Sequence, residues 1–388
     1  MNNFIFHNPT KIIFGKETIE TVGEELKKYK TKKILLCYGK SSIFKNNVYN
    51  KVIASLTASG IDWVEMGGIK ANPVLSKVME GIKIAKEEKV DGILAVGGGS
   101  VIDSAKVIAR GYYYAGNVWD LFEKKAVSEE ALPVFSVLTI SATGSEMNAN
   151  AVLTNETENK KWPMPTNVNG YPKFSIIDPA VQISLPKSQM ANGAADTLAH
   201  VFEWYFDGSG NNDLVDEFAE GIIRTMMKHS RILAKEPDNY KSRAQFAWCA
   251  TNALNMLLQP GSKGGDWATH MIEHSVSAFY DIAHGAGLAI LFPAWMKYVY
   301  KNDAEKFSRF ADKIFGITEG TIDGKIDKIV YQLKEYFKEI GAPVSLSEVG
   351  VKESDLMPMA ENATLRGNLG KLMQLDKNDV FEIYKLAF

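Results

Sequence analysis

The stretch Gly92-Ile-Leu-Ala-Val-Gly97-Gly-Gly-Ser100-Val-Ile-Asp103-Ser-Ala-Lys106 passes from a short apolar run, through three glycines and a serine, into a helical pattern. A buried strand that turns sharply into a helix is the unit of an open parallel sheet. Glycines permit close backbone approach and positive φ, and a helix amino terminus offers N–H groups and partial positive charge to a pyrophosphate. The segment therefore reads as a phosphate cradle, with Gly98, Gly99, Ser100 and Asp103 as candidate cofactor residues. It matches neither G-x-G-x-x-G nor the P-loop pattern, and taken alone it is also compatible with a tight turn that binds nothing.

Around this segment the first half alternates short strands with longer helices. Lys33–Tyr38 is followed by a helical pattern over residues 47–60. Val74, Leu75, Val78, Ile82 and Ala85 mark one apolar helix face, and further strands are expected over residues 132–139 and 173–177. After Asp178-Pro179 the pattern becomes almost wholly helical, with helices expected over residues 189–206, 214–235, 240–258, 267–280, 285–300, 304–315, 321–340 and from 377 onward. The sequence thus predicts a two-domain chain: an α/β Rossmann-like domain over residues 1–185 and an all-helical domain over 186–388.

Composition sets the limits. The 388 residues are 46% apolar and 23% charged, and 44 Lys+Arg against 46 Asp+Glu give a net charge of −2. No overall field favours nucleic acid or an anionic membrane, so recognition must be local. The two cysteines, Cys37 and Cys249, exclude a disulfide framework. Neither a signal-peptide pattern nor an 18-residue apolar run is visible, and a cytoplasmic protein is expected.

Two clusters carry candidate chemistry. Thr139-Ile-Ser141-Ala-Thr143-Gly-Ser145-Glu-Met-Asn148-Ala-Asn150 places four hydroxyls and two amides in twelve residues, suited to ribose, amide and phosphate groups, although a loop with helix caps has the same composition. Tyr38-Gly39-Lys40-Ser41-Ser42 puts Gly39, a cation and two hydroxyls where an acidic residue would reject a 2′-phosphate, so a bound dinucleotide is expected to be NADP(H).

Of six histidines, three fall within residues 270–284. Asp196 and His200 are four apart on one helix face, His270 and His274 repeat that spacing, and His284 precedes Gly285. Asp196, His200, His270 and His284 would form an N3O set with one open position, suited to Fe(II) or Zn(II). The order around Glu273 is not H-E-x-x-H, which argues against a zincin protease.

Taken together, Gly97-Gly-Gly-Ser-Val-Ile-Asp103, Ala142-Thr-Gly-Ser-Glu146, Ile177-Asp-Pro179, Asn192-Gly-Ala-Ala-Asp196 with His200, and Asp266-Trp-Ala-Thr-His270 with His274 and His284 resemble the iron-activated (group III) alcohol dehydrogenase family. Within it they are similar to the butanol dehydrogenase and NADPH-dependent aldehyde reductase branch, over essentially the whole chain. The resemblance implies a dehydroquinate synthase-like architecture, with Asp196, His200, His270 and His284 as metal ligands and His274 beside nicotinamide and substrate. It also implies Asn72, Gly98, Gly99, Ser100, Thr139, Ser141, Thr143, Asn150 and Lys161 as cofactor contacts. Gly39 stands where other branches carry Asp and prefer NAD. A homodimer through the amino-terminal strand is implied as well. Trp119, Phe122, Trp162 and Trp267 are candidate walls of an apolar substrate pocket.

The expected reaction is hydride exchange between NADPH and a small aldehyde or primary alcohol. A dehydroquinate synthase-like lyase would need cations around the metal segments, which have none. A metal-dependent hydrolase would need no nicotinamide.

Overall fold

In the computed structural model, which describes residues 2–388, eight strands form in chain order: β1 (Lys11–Phe14), β2 (Lys33–Tyr38), β3 (Asp62–Met66), β4 (Gly92–Gly97), β5 (Val134–Leu138), β6 (Val152–Asn155), β7 (Lys160–Pro163) and β8 (Phe174–Ile177). Six of them make one parallel sheet in the order β1-β8-β5-β4-β2-β3, and β6 pairs with β7 as an antiparallel hairpin. Strands β4, β5 and β8 are buried at every residue, the continuous apolar run that a sheet covered on both faces demands. On one face Ile34, Leu36, Leu94, Val96, Phe135, Val137, Phe174 and Ile176 pack with Val48, Val52 and Leu56 of the helix Val48–Ser59. Alternate strand residues thus share one core, as the two-residue period dictates.

The chain runs from β2 outward to β3 and then returns to β4 on the other side of β2, with Tyr38 opposite Val96. Strand order reverses there, so the carboxyl ends of β2 and β4 frame the crevice where open α/β sheets bind ligands. At the far side, Asp178 ties the end of β8 to the turn after β1 by accepting the Glu17 N–H at 2.9 Å, while its other oxygen caps Ala180.

A compact α/β unit spans Asn8–Leu185, and residues 2–7 group with Pro186–Phe388 in a helical unit. This corrects the expected domain start at residue 1. The Asn2 N–H donates to Gly261 O, and its side-chain amide donates to Ser262 O. The helical unit contains Lys187–Tyr205, Asp213–Lys235, Tyr240–Ala253, Ala268–Tyr280, His284–Val299, Ala304–Phe315, Ile322–Ile340, Leu356–Ala363 and Lys377–Ala387. His284–Val299 is buried almost all round, including Pro293, and forms the centre of the bundle. No helix among the described residues is long and apolar enough to cross a membrane.

Several elements differ from the sequence expectation. β3 pairs only with β2 and alternates weakly, so its pattern is diluted by exposure. The helix expected to reach residue 258 stops at Ala253, where Asn255 bonds Asn252 and the Leu257 N–H, and Met256 takes a positive φ of 74°. The β6–β7 hairpin and the helix Leu356–Ala363 are too short to register as periodic segments.

Candidate active site

Asp196 and His200 lie one turn apart on Lys187–Tyr205, a helix whose side chains from Ala194 to Tyr205 are all buried. Asp196 Oδ1 stands 3.6 Å from His200 Nε2, 4.0 Å from His270 Nε2 and 3.8 Å from His284 Nε2. Ligands placed 2.0–2.2 Å from a tetrahedral centre would be roughly 3.3–3.6 Å apart, so the four atoms stand slightly wider than a cation's coordination sphere requires. Among the described residues, Asp196 Oδ1 and His270 Nε2 are buried without a hydrogen-bond partner. Most buried polar atoms in folded proteins are paired, and two unpaired atoms of ligand type that face one another suit a cation. The donor chemistry fits as well. Burial pushes His200 down to about 3, against the pull of Asp196 and with His270 and His284 adding to the drop, which leaves the imidazole neutral as a ligand must be.

Two carboxylates that sequence reasoning did not single out orient these rings. Glu203 Oε1 lies 2.7 Å from His270 Nδ1, and Glu273 Oε2 is hydrogen-bonded to His284 Nδ1. Each carboxylate is 0% exposed, and each holds the far nitrogen so that Nε2 faces Asp196. Glu203 also accepts the backbone N–H of His270 at 3.1 Å and of Trp267 at 2.5 Å, so it caps the helix that carries His270 from a different helix. The signal available beforehand was an acidic residue three positions after His200. Asp266 braces the same turn by accepting the Lys371, Leu372 and Ala268 N–H groups, while burial and the charge of Glu203 push it up to about 7.

His284 begins the central helix, and its position follows from Gly285. A Cβ there would lie 2.0 Å from Asn192 O, so the helices bearing Asp196 and His284 meet backbone to backbone. His274 is 6% exposed, and its ring centroid is 5.4 Å from that of His284.

In the α/β unit, no side chain caps the helix Gly99–Tyr113, and Gly98 is extended at its start. A Cβ on Gly99 would meet Thr143 at 2.5 Å, so the glycine turn and the hydroxyl-rich loop touch. The Thr139 N–H bonds Gly97 O at 2.9 Å, and Thr143 Oγ1 accepts the Ser145 N–H at 3.1 Å. Ser141 Oγ is buried and has no partner among the described residues, which suits a polar ligand in the crevice. Lys161 Nζ donates to Asn72 Oδ1 at 3.0 Å, joining two of the expected cofactor residues, whereas Lys160 lies over the Trp162 ring. Gly39 follows β2, with Lys40, Ser41 and Ser42 exposed beyond it. Asp103 is engaged by protein groups: Ser145 Oγ at 2.6 Å and the Val152 N–H at 3.0 Å. Trp119 stacks between Phe122 and Trp162, with centroids at 4.9 and 5.5 Å, while Trp267, in the helical unit, packs edge-on to Trp204 and His270.

Comparison with known proteins accords with this geometry. Residues 9–179 match the family described as iron-containing alcohol dehydrogenase, and residues 190–388 match its carboxyl-terminal region. The chain is 40% identical to NADH-dependent butanol dehydrogenase A of Clostridium acetobutylicum, with all of both chains covered. It is 35% identical to the NADPH-dependent aldehyde reductase YqhD of Escherichia coli, over 97% of this chain and 96% of that one. The crystal structure of NADH-dependent butanol dehydrogenase A from Thermotoga maritima superposes with a TM-score of 0.97 at 52% identity, covering 100% of this chain and 99% of the other. The ligand geometry and these full-length matches lead to one conclusion: the chain belongs to the iron-containing alcohol dehydrogenase family.

Proposed function

We propose that this protein is a metal-dependent alcohol dehydrogenase that interconverts small aldehydes and primary alcohols, butanal and butanol among them, with NADP(H). The observation that carries the reading is Asp196 Oδ1 facing the Nε2 atoms of His200, His270 and His284, with Glu203 and Glu273 behind two of the rings. The relatives' names, butanol dehydrogenase and aldehyde reductase, support the substrate class.

Held by those four side chains, a divalent cation, Fe(II) or Zn(II), supplies Lewis-acid polarisation of a carbonyl oxygen, and the nicotinamide supplies or takes the hydride. The chain's own residues do the rest. Gly98, Gly99 and Ser100 present the helix amino terminus to the pyrophosphate, and Thr139, Ser141, Thr143, Asn150, Asn72 and Lys161 hydrogen-bond the remaining polar groups. His274 donates the proton to the product oxygen and recovers it in the reverse direction. Trp267, packed on His270, borders the substrate and limits its water.

The preference for NADP(H) rests on Gly39: the end of β2 carries no carboxylate, and Lys40, Ser41 and Ser42 are free to meet a 2′-phosphate. The names of the relatives divide between NADH and NADPH, so the two cofactors must be compared directly. β1 pairs on one side only, with β8, and so leaves a strand edge that a second copy of the chain can occupy, which supports a homodimer.

Following the oxidation of NADPH and of NADH with butanal, in metal-loaded and chelator-stripped enzyme, tests the reading. Loss of activity on stripping, its return with the metal, and a lower KM for NADPH are expected. Full activity without metal, or ester hydrolysis without nicotinamide, would overturn it.

A further inference from the structure

Lys106 is fully buried in the helix Gly99–Tyr113, and its ammonium spends its three donors on the hydroxyl-rich loop: Ser145 Oγ at 2.8 Å, Asn148 Oδ1 at 3.2 Å and Asn150 O at 2.8 Å. Asp103, one turn earlier on the same helix, holds the opposite side of that loop. It accepts Ser145 Oγ through one oxygen and the Val152 N–H, at the start of β6, through the other. Ser145 thus sits between the cation and the carboxylate, and Asn148 closes the turn by donating to Gly144 O at 2.8 Å. Glu146, 0% exposed, adds a second negative charge near the ammonium.

An ammonium in such a place is costly, because desolvation offsets much of its attraction to Asp103 and Glu146, and an apolar side chain of similar length would serve packing alone. Burial pulls Lys106 down to about 8, with Asp103 and Glu146 holding it up. What the cation supplies is geometry. Residues 143–150 run as bends and a single short 3-10 turn at Ser145–Met147, without a strand or long helix to fix them, yet they bring Thr143 against Gly99 of the glycine turn and Asn150 O to Lys106.

We infer that Lys106, with Asp103, is a positioning pair that locks the loop Thr143–Asn150 onto the phosphate-binding helix before the nicotinamide cofactor arrives. This rests on the reading that the α/β unit binds that cofactor. Neither residue then needs to touch the dinucleotide; Asp103 moves from the expected cofactor contacts to their support. Preorganisation of this kind lowers the ordering cost of binding, so its loss falls on cofactor affinity and spares the chemical step.

The test compares wild type with Lys106→Met and with the milder Ser145→Ala, which removes the hydroxyl shared by the pair. Dinucleotide affinity is read by fluorescence titration with NADPH and NADH, kcat at saturating cofactor and butanal, bound metal by elemental analysis, and loop order by hydrogen exchange. Lys106→Met is expected to weaken cofactor binding by roughly tenfold or more, equivalent to at least about 1.4 kcal/mol. Its kcat should stay within about twofold and its metal content unchanged, while the amides of residues 143–150 exchange faster until cofactor is added. Ser145→Ala should move affinity the same way to a smaller extent, and it decides the matter if Lys106→Met does not fold. Unchanged affinity in a folded variant, or a loss of kcat at unchanged affinity, overturns the positioning role. Failure of wild type to bind either dinucleotide instead overturns the cofactor reading beneath it.

Discussion

Glu203, on the helix Lys187–Tyr205, accepts both the ring Nδ1–H and the backbone N–H of His270, on the helix Ala268–Tyr280. One carboxylate therefore sets the rotation of an imidazole of the candidate ligand set and the start of the helix that bears it. Glu203→Gln keeps the shape but loses charge and one acceptor oxygen. We expect metal affinity to fall about 10- to 100-fold, measured by competition with a chelator of known affinity; an unchanged affinity would show that packing alone aims His270.

Removing Asp196 has a simpler consequence. Its Oδ1 is the common neighbour of three Nε2 atoms, so Asp196→Ala should abolish both metal binding and aldehyde reduction. Wild type should gain about 4 kcal/mol of stability when free metal is near a thousand times its Kd, seen as a rise in Tm. The variant should show no such rise, and a full rise would place the metal elsewhere.

His274 is expected to separate from the ligand set. His274→Ala should keep its metal and lose about 100- to 10,000-fold in kcat, the usual worth of a general acid or base. Elemental analysis beside steady-state kinetics distinguishes the cases, since simultaneous metal loss would make His274 a ligand.

Gly39→Asp tests cofactor choice. A Cβ at Gly39 would stand 3.3 Å from Ile69 O, close enough that the loop must give slightly, and the new carboxylate would repel a 2′-phosphate. The ratio of kcat/KM for NADPH over NADH should fall by roughly tenfold or more. A ratio that does not move would mean that the 2′-phosphate lies away from the end of β2.

The lowered pKa of Lys106 has a definite sign. Its folded value of about 8 lies below the ordinary 10.5, so between these values the unfolded chain binds more protons, and the stability contributed by this group rises with pH. Urea unfolding of wild type and Lys106→Met at about pH 7.5 and about pH 9.5 should show wild type gaining on the variant by about 1–2 kcal/mol. A constant difference would mean that the buried ammonium titrates outside that window.

The sheet and most of the helical bundle were legible in the sequence, because buried strands such as Gly92–Gly97 and long amphipathic helices such as Asp213–Lys235 carry strong periodic signals. The four candidate ligands were legible from residue type and spacing. Glu203 and Glu273 were not, since an acidic residue within a helix reads as solvent-facing until the tertiary fold buries it. Asp103 is expected to face a ligand because it lies within the glycine motif; that it also holds Ser145 and Val152 was not legible, since both are more than forty positions away and leave no local trace. β3 and the β6–β7 hairpin escaped because four or five half-exposed residues give too few repeats to establish a period.

The contact of Gly285 with Asn192 O reaches beyond packing. With main chain against main chain, the gap between Asp196 and His284 has no flexible side chain to adjust it, and the helix axes act as a fixed caliper. Of the candidate ligands, His270 stands on a third helix, outside that backbone contact, so ions of different radius would be accommodated chiefly by its ring. A residue larger than glycine at position 285 would meet main chain that cannot turn aside, and so would spread the jaws of the caliper and part Asp196 from His284.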